Sequence, residues 1–184
     1  MSSLLSICRA ALKMRLLERL WCHPIMLLRD FETSDEAAIG CVALAAFKQF
    51  ESHYADWPAM ASNVSRMADL AKKSELIIAV RNGEVVGGVA YVGPNKQKAA
   101  YFNQAWPIIR MLVVSPSHRA GGIGKMLTEA CLERARRDHS PIIALHTSPI
   151  MSVALPMYIR MGFEKFRDAP DIHGVPYAVY TKSL

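Results

Sequence analysis

A glycine-rich stretch is the part of this sequence best suited to chemistry. It follows an apolar run that ends at Val114 and comprises Arg119, Ala120, Gly121, Gly122, Ile123, Gly124 and Lys125. Apolar residues then recur at helical spacing, at Ile123, Met126, Leu127, Ala130 and Cys131. The first amides of a helix have no intrahelical acceptor and lie at the positive end of its dipole, and glycines let an anion approach them. With the charges of Arg119 and Lys125 beside it, the turn is predicted to bind phosphate.

Two common phosphate loops do not match this turn. A nucleotide triphosphatase loop needs Gly-x-x-x-x-Gly-Lys-Ser/Thr, but Arg119 and Met126 stand at its first and last positions. A dinucleotide-binding fingerprint needs a third glycine, and Leu127 stands there. The pattern that fits is Arg-x-x-Gly-x-Gly, over Arg119, Gly122 and Gly124.

A second motif lies about thirty residues downstream. It is Ala154-x-x-Met157-Tyr158, followed by Gly162-Phe163. A phenol titrates near ~10, so the tyrosine of this motif is protonated at neutral pH and can donate a proton as a general acid.

The two motifs, in this order and with a strand between them, resemble the GNAT superfamily of N-acetyltransferases. The resemblance covers about residues 26–184 and implies acetyl transfer from acetyl-CoA directly to an amine, which is either a small molecule or a protein or peptide amine. It implies a mixed α/β fold with a mostly antiparallel sheet of about six to seven strands, helices on both faces and a splay between the fourth and fifth strands. By the same resemblance Tyr158 is the general acid. The implied acetyl-CoA contacts are Leu112, Val113, Val114, Arg119, Ala120, Gly121, Gly122, Ile123, Gly124, Lys125, Ala154 and Met157.

Three positions depart from the family pattern. Met151 stands where the family often has asparagine, and Ile108 stands where many relatives have a glutamate base. Pro156 lies inside the predicted last helix, where the missing N–H costs about 3 kcal/mol unless it is relieved. We therefore expect a kink there or a helix that starts later. The first two departures also favour an alternative function, a non-catalytic acyl-CoA sensor or interaction module.

The general base is chosen from residues outside the motifs. An alkyl amine with a pKa near ~10.4 is almost entirely protonated at neutral pH, so a base or a water chain must remove its proton. Glu51 or His53 is the preferred base, in a polar segment that, by the resemblance to the GNAT superfamily, lines the acceptor cleft. The other candidates are Tyr54, Asp56, His146, Asp171 and His173. Trp57, Trp106 and Tyr101 form either an aromatic acceptor pocket or ordinary packing.

Apolar periodicity and turn residues predict the elements that position these groups. The predicted strands are 25–31, 75–81, 84–92, 106–114, 141–146, 162–167 and 175–182. The predicted helices are 35–47, 62–73, 122–137 and 149–161, with residues 49–61 irregular. Asn82-Gly83 predicts a type I′ hairpin turn. One domain, residues 25–184, contains them all.

Composition narrows the function classes. Half of the net charge of +6 lies in residues 1–25, which hold four basic residues against one acidic residue. The remainder is nearly balanced, so nucleic acid is not an expected partner. No apolar run reaches the length of a membrane span, so no stable membrane insertion is expected. Cysteine and histidine spacing matches no metal site, and the four cysteines are interpreted as free thiols in a reducing cytoplasm. We expect a monomer or homodimer.

Residues 1–24 form a basic, amphipathic N-terminal extension. Arginines, few acids and apolar residues at helical spacing are typical of a transit peptide or of a helix that docks on a membrane, a partner or the domain itself. Translated upstream sequence without a function is a further alternative, because Met26 is a natural start.

Overall fold

The computed structural model describes residues 26–184. The predicted extension, residues 1–24, and the first residue of the predicted domain lie outside the described residues. Cys41 and Cys131 are free thiols, and Cys131 is buried on the apolar stripe where the periodicity placed it. Within the described part, no helix is long and apolar enough to cross a membrane.

Seven strands form one mixed sheet, as the predicted fold class requires. The strands are β1 (Met26–Asp30), β2 (Glu75–Arg81), β3 (Glu84–Val92), β4 (Ile108–Val114), β5 (Ile142–Thr147), β6 (Glu164–Ile172) and β7 (Val175–Ser183). Their order across the sheet is β1-β2-β3-β4-β5-β7-β6. Every neighbouring pair is antiparallel except β4 and β5. The Asn82-Gly83 turn joins β2 to β3, and both of its residues have positive φ.

The parallel pair β4 and β5 separates soon after it begins. Only Ile108↔Ala144 and Ile109↔Leu145 are in register, although both strands continue beyond these residues. The predicted splay between the fourth and fifth strands is therefore confirmed. It leaves the β5-facing edge of β4 without a strand partner beyond Ile109, at the end of the strand that leads to the glycine-rich turn.

Helices cover both faces of the sheet. They are α1 (Glu36–Phe47), α2 (Trp57–Ser65), α3 (Ile123–Arg137) and α4 (Ala154–Arg160). The helices α1 and α2 bury Ile39, Ala43 and Val64 on one face, and α3 buries Leu127 on the other. A Cβ on Gly40 would lie 2.6 Å from the carbonyl oxygen of Ser65. Glycine at this position is what lets α1 and α2 pack this closely.

The prediction for the segment after α1 was wrong in detail. Residues 49–61 are not irregular: a 3₁₀ turn at Lys48–His53 leads into α2, which starts at Trp57 rather than at residue 62. The cause is local. The Asp56 side chain accepts a hydrogen bond from the Ala59 amide at 2.9 Å, and Pro58 occupies the first turn. A second 3₁₀ stretch, Met67–Lys72, stands where the predicted helix continued.

The last helix starts later than the apolar pattern predicted. It begins at Ala154, which makes Pro156 its third residue. An N–H at that position has no intrahelical acceptor, so proline removes no helical hydrogen bond. The later start that the proline predicted is thus confirmed, and the same shift places Tyr158 in the middle of a short helix beside the splay.

Candidate active site

Two adjoining cavities lie at the splay. The turn cavity, about 550 Å³, is lined by residues of the glycine-rich turn, by the end of β4 and by α4. The splay cavity, about 480 Å³, lies between the diverging strands and the face covered by α1 and α2. Four residues line both cavities, namely Phe47, Leu112, Met151 and Ala154. A ligand in the turn cavity can therefore present one end to the splay cavity.

The glycine-rich turn has the geometry of an anion cradle. Gly122 immediately precedes α3 and has φ 75° and ψ 0°, a left-handed conformation that glycine adopts without strain. The free amides of the first turn of α3 open toward the turn cavity, which Gly122, Ile123 and Gly124 line. Ala120 also has positive φ, at 64°. Of the residues predicted to contact acetyl-CoA, all line this cavity except Gly121.

The two basic residues of the turn, Arg119 and Lys125, differ in the protein groups that they contact. The guanidinium of Arg119 donates to the Gln49 side chain at 3.0 Å and to the Ala46 carbonyl at 3.2 Å, which ties the turn to the end of α1. Two of its five N–H donors are used, so three are available to an anion. The ammonium of Lys125 lies 3.5 Å from Glu129 in an exposed pair. Such pairs are weak, so this ammonium is free to reorient.

The end of β4 exposes backbone groups to the same space. A bulge lies opposite Val89, because Met111 and Leu112 stand between the residues paired with Gly88 and Ala90. Met111 has φ 55°, a strained value for a residue with a side chain. Leu112, Val113 and Val114 line the turn cavity, and none has a partner on the β5 side. Val113 and Val114 pair with β3 on the other edge, and the backbone groups on the open edge suit an extended polyamide arm.

Tyr158 lies at the base of the splay cavity. Its side chain is 5% exposed, and its ring packs edge-on against Phe163 with centroids 5.7 Å apart. Its hydroxyl has no hydrogen-bond partner among residues 26–184, yet it is not sealed from the cavity. Burial raises the pKa of Tyr158 above its usual value of 10, and a nearby thiol adds to the effect. The phenol is therefore protonated at every physiological pH.

The preferred base residues lie away from this space. Glu51 forms an ion pair with Lys48 at 2.6 Å on the surface, and His53 is exposed at the end of the 3₁₀ turn. Neither lines the turn cavity or the splay cavity. Tyr54, the neighbouring candidate, points inward instead and shares a 2.7 Å hydrogen bond with Tyr177.

The structure brings His146 into the splay cavity. It is the residue after the last registered pair of the parallel strands, and its Nδ1 lies 3.0 Å from the Tyr101 hydroxyl oxygen. The two rings stack, with centroids 5.8 Å apart. Burial, and then the positive charge of Arg110, lower the pKa of His146 from 6.5 to about 4. The imidazole is therefore neutral at pH 7.

The two tryptophans proposed for an aromatic pocket are packing residues. Trp57 lies beside Tyr54 with ring centroids 6.4 Å apart, and Trp106 packs edge-on against Phe166 at 5.4 Å. Neither lines one of the two cavities. Ile108 is buried, so the position of the usual carboxylate faces the core. In the part of the chain that the structure describes, no three histidine, cysteine or carboxylate side chains are grouped to hold a metal ion.

Comparison with known proteins agrees with this geometry. The model of the acetyltransferase (GNAT) family matches residues 44–163. The chain therefore belongs to the GNAT acetyltransferase family, and the family that its two motifs predicted is confirmed. The PaiA N-acetyltransferase of Thermoplasma acidophilum, solved in complex with coenzyme A, has a TM-score of 0.69 at 14% identity, over 87% of this chain and 99% of that one.

Two curated relatives carry similar segments. N-acetyltransferase 8B of Mus musculus is 36% identical over 88 residues, which are 48% of this chain and 37% of that protein. N-alpha-acetyltransferase 30 of Saccharomyces cerevisiae is 37% identical over 59 residues, which are 32% of this chain and 34% of that protein. The matches thus span little more than a third of either relative's length.

Proposed function

We propose that this chain transfers the acetyl group of acetyl-CoA directly to an amine. The observation that carries the proposal is the junction of the two cavities. A phosphate cradle opens on one side of it, and a protonated tyrosine and a neutral histidine face the other. The relatives' N-acetyltransferase names and the coenzyme A bound by PaiA support the same chemistry.

The residues of the turn cavity fit an acyl-CoA molecule. In our proposal the amides of Gly122–Gly124 and the charges of Arg119 and Lys125 hold the pyrophosphate. The unpaired edge of β4 holds the pantetheine arm, and Ala154 and Met157 of α4 pack against its other side. In the same proposal, backbone amides at the Met111 bulge would stabilise the negative charge that develops on the thioester carbonyl in the transition state.

Transfer then needs two proton movements. The amine nitrogen attacks the thioester carbonyl carbon, the C–S bond breaks, and Tyr158 donates its proton to the departing sulfur. His146 is the proposed proton acceptor, in place of Glu51 or His53, because it alone of these three lines the splay cavity. This role requires the tautomer in which the Nδ1–H of His146 donates to the Tyr101 oxygen, which leaves Nε2 unprotonated and able to accept.

The base assignment is tested with His146→Gln. Thiol release from acetyl-CoA is measured with an acceptor panel between pH 7 and 10. We expect a loss of about 10²–10⁴-fold at pH 7, which shrinks as pH approaches the pKa of the amine because the acceptor then arrives neutral. Glu51→Gln and His53→Gln are the controls, and both should retain wild-type rates. A loss in either control, or an equal defect at every pH for His146→Gln, would contradict the assignment.

The alternative function, an acyl-CoA sensor or interaction module without turnover, rests on the missing carboxylate at Ile108 and on Met151 in place of asparagine. Titration with coenzyme A, together with the thiol-release assay, distinguishes this alternative from acetyl transfer. Tight binding without product on a broad amine and peptide panel would favour the sensor. A protein that does not bind coenzyme A at millimolar concentration would contradict both. The cytoplasmic location, the monomeric or dimeric state and the independence from metals stay predictions.

A further inference from the structure

We propose that the acceptor is a small amine with an anionic group next to an apolar body, as in an apolar amino acid, and that Arg110 binds the anionic group. This inference rests on the proposed acetyl transfer and names the class of its acceptor. It starts from an arginine in the middle of the central strand, at a place where sheets usually bury apolar residues.

Register shows which way Arg110 faces. The last registered pairs of the parallel strands are Ile108↔Ala144 and Ile109↔Leu145. Side chains alternate along a strand, so Arg110 and His146 lie on the same face as Ile108 and Ala144, which pack together in one cluster. Both residues line the splay cavity. The charge of Arg110 is also felt there, since it contributes to the low pKa of His146.

Arg110 has no counter-ion in the described part of the chain. The ion pairs formed by residues 26–184 include Arg29, Arg134 and Arg137 but not Arg110. Nor does its guanidinium donate a hydrogen bond to any of these residues. It is a planar donor of five N–H groups, suited to bidentate binding of a carboxylate. Arg110 is an exposed residue that lines the splay cavity, so its unpaired guanidinium is accessible to an anionic ligand there.

The remaining charges of the cavity point the same way. Asp69 is the one carboxylate among its lining residues, and Lys72 already pairs with it at 2.7 Å. Arg66, the residue after α2, adds a second cation to the lining, and it donates to Ser62 and Asn63 of that helix. A polyamine or a lysine side chain would bring positive charge into a positively charged site. An amino acid brings an ammonium and a carboxylate together.

The walls define the rest of the acceptor. Apolar side chains line most of the cavity, among them Met60, Met67, Leu70, Met111 and Ile172. A volume of about 480 Å³ lies within the range of small-molecule sites. Binding of a carboxylate to Arg110 would also neutralise the charge that disfavours protonation of His146. An anionic acceptor would thus make the proposed base stronger at the moment that it is needed.

Matched acceptor pairs test the proposal. Apolar amino acids are compared with their amides, for example L-leucine with L-leucinamide, which share the amine and the side chain but differ in the carboxylate. KM and kcat are measured for wild type, Arg110→Met and Arg110→Lys. Arg136→Met, an exposed arginine outside both cavities, is the charge-matched control.

We expect wild type and Arg136→Met to prefer the amino acid. Arg110→Met should remove about 10- to 100-fold of that preference, mainly through KM, as for a lost hydrogen bond to a charged group. Arg110→Lys should restore part of it. Each ratio compares the two acceptors on one protein, so the different basicity of the two amines cancels between variants.

Three results would overturn the proposal. The first is that the wild type uses the amino acid and its amide equally well, and the second is that Arg110→Met keeps the wild-type preference for the amino acid. The third is that a peptide N-terminus without a nearby carboxylate is acetylated faster than the amino acid. Calorimetry on the protein loaded with coenzyme A measures the affinity for each amino acid and its amide, and so compares the two acceptors without turnover. These results are distinct from a failure of the proposed acetyl transfer. That failure would show as no thiol release with any acceptor, or as no binding of coenzyme A.

Discussion

Removing the hydroxyl of Tyr158 should stop catalysis while leaving the fold intact. The hydroxyl makes no hydrogen bond within residues 26–184, whereas the ring packs against Phe163. Tyr158→Phe keeps that packing and leaves no protein group unpaired, so we expect the free energy of unfolding to change by less than about 0.5 kcal/mol. Loss of a positioned proton donor typically costs about 10²–10⁴-fold in the chemical step. That loss corresponds to about 3–5 kcal/mol of transition-state free energy.

Single-turnover kinetics with saturating acetyl-CoA and acceptor isolate this step. Tyr180→Phe is the matched control, because Tyr180 is also buried, forms no side-chain hydrogen bond to a described residue and lines neither cavity. Denaturant unfolding of both variants checks that the fold is preserved. A Tyr158→Phe protein with an unchanged single-turnover rate, or a Tyr180→Phe protein equally impaired, would refute the assigned role.

Three further predictions concern glycine substitutions, the pH dependence of stability and a helix cap. Gly122→Ala and Gly83→Ala each place a residue with a side chain at a position of positive φ, and each should lower the free energy of unfolding by about 1 kcal/mol. Calorimetry should find weaker coenzyme A binding only for Gly122→Ala. The pKa of His146 falls to about 4 on folding, so as the pH is lowered the unfolded chain binds a proton at this residue before the folded chain does. The free energy of unfolding should therefore drop by up to about 3 kcal/mol between pH 6.5 and 4. Denaturant titrations should show that His146→Gln lacks this drop. Asp56→Ala removes the cap of α2 and should lower the unfolding free energy by about 1 kcal/mol, measured by thermal unfolding.

Sequence reasoning was most successful where the cause is local. The turn at Asn82-Gly83 and the start of α3 after Gly122 depend on backbone angles that a few neighbouring residues determine. The late start of α4 follows in the same way from Pro156. The start of α2 was missed although its signal is equally local, a capping Asp56 followed by Pro58.

The sequence favoured Glu51 or His53 as the base, but neither residue lines the splay cavity. Glu51 and His53 belong to a polar segment, and polarity does not reveal which side chains of a 3₁₀ turn face solvent. The exposed ion pair of Glu51 depends on how that turn packs. His146 and Tyr101 are 45 residues apart in the chain, so nothing local predicts their hydrogen bond.

By itself the amino-acid sequence determined the family, because the two motifs lie within short stretches of chain. The splay between the fourth and fifth strands followed from the resemblance to that family, and anion binding at the glycine-rich turn stays a prediction. Tertiary structure alone decided what surrounds the acceptor. Arg110 and His146 come together only because two parallel strands stay in register up to the residues before them and then part. Burial and charge at that point depend on the packing of distant elements, which no short stretch of sequence encodes.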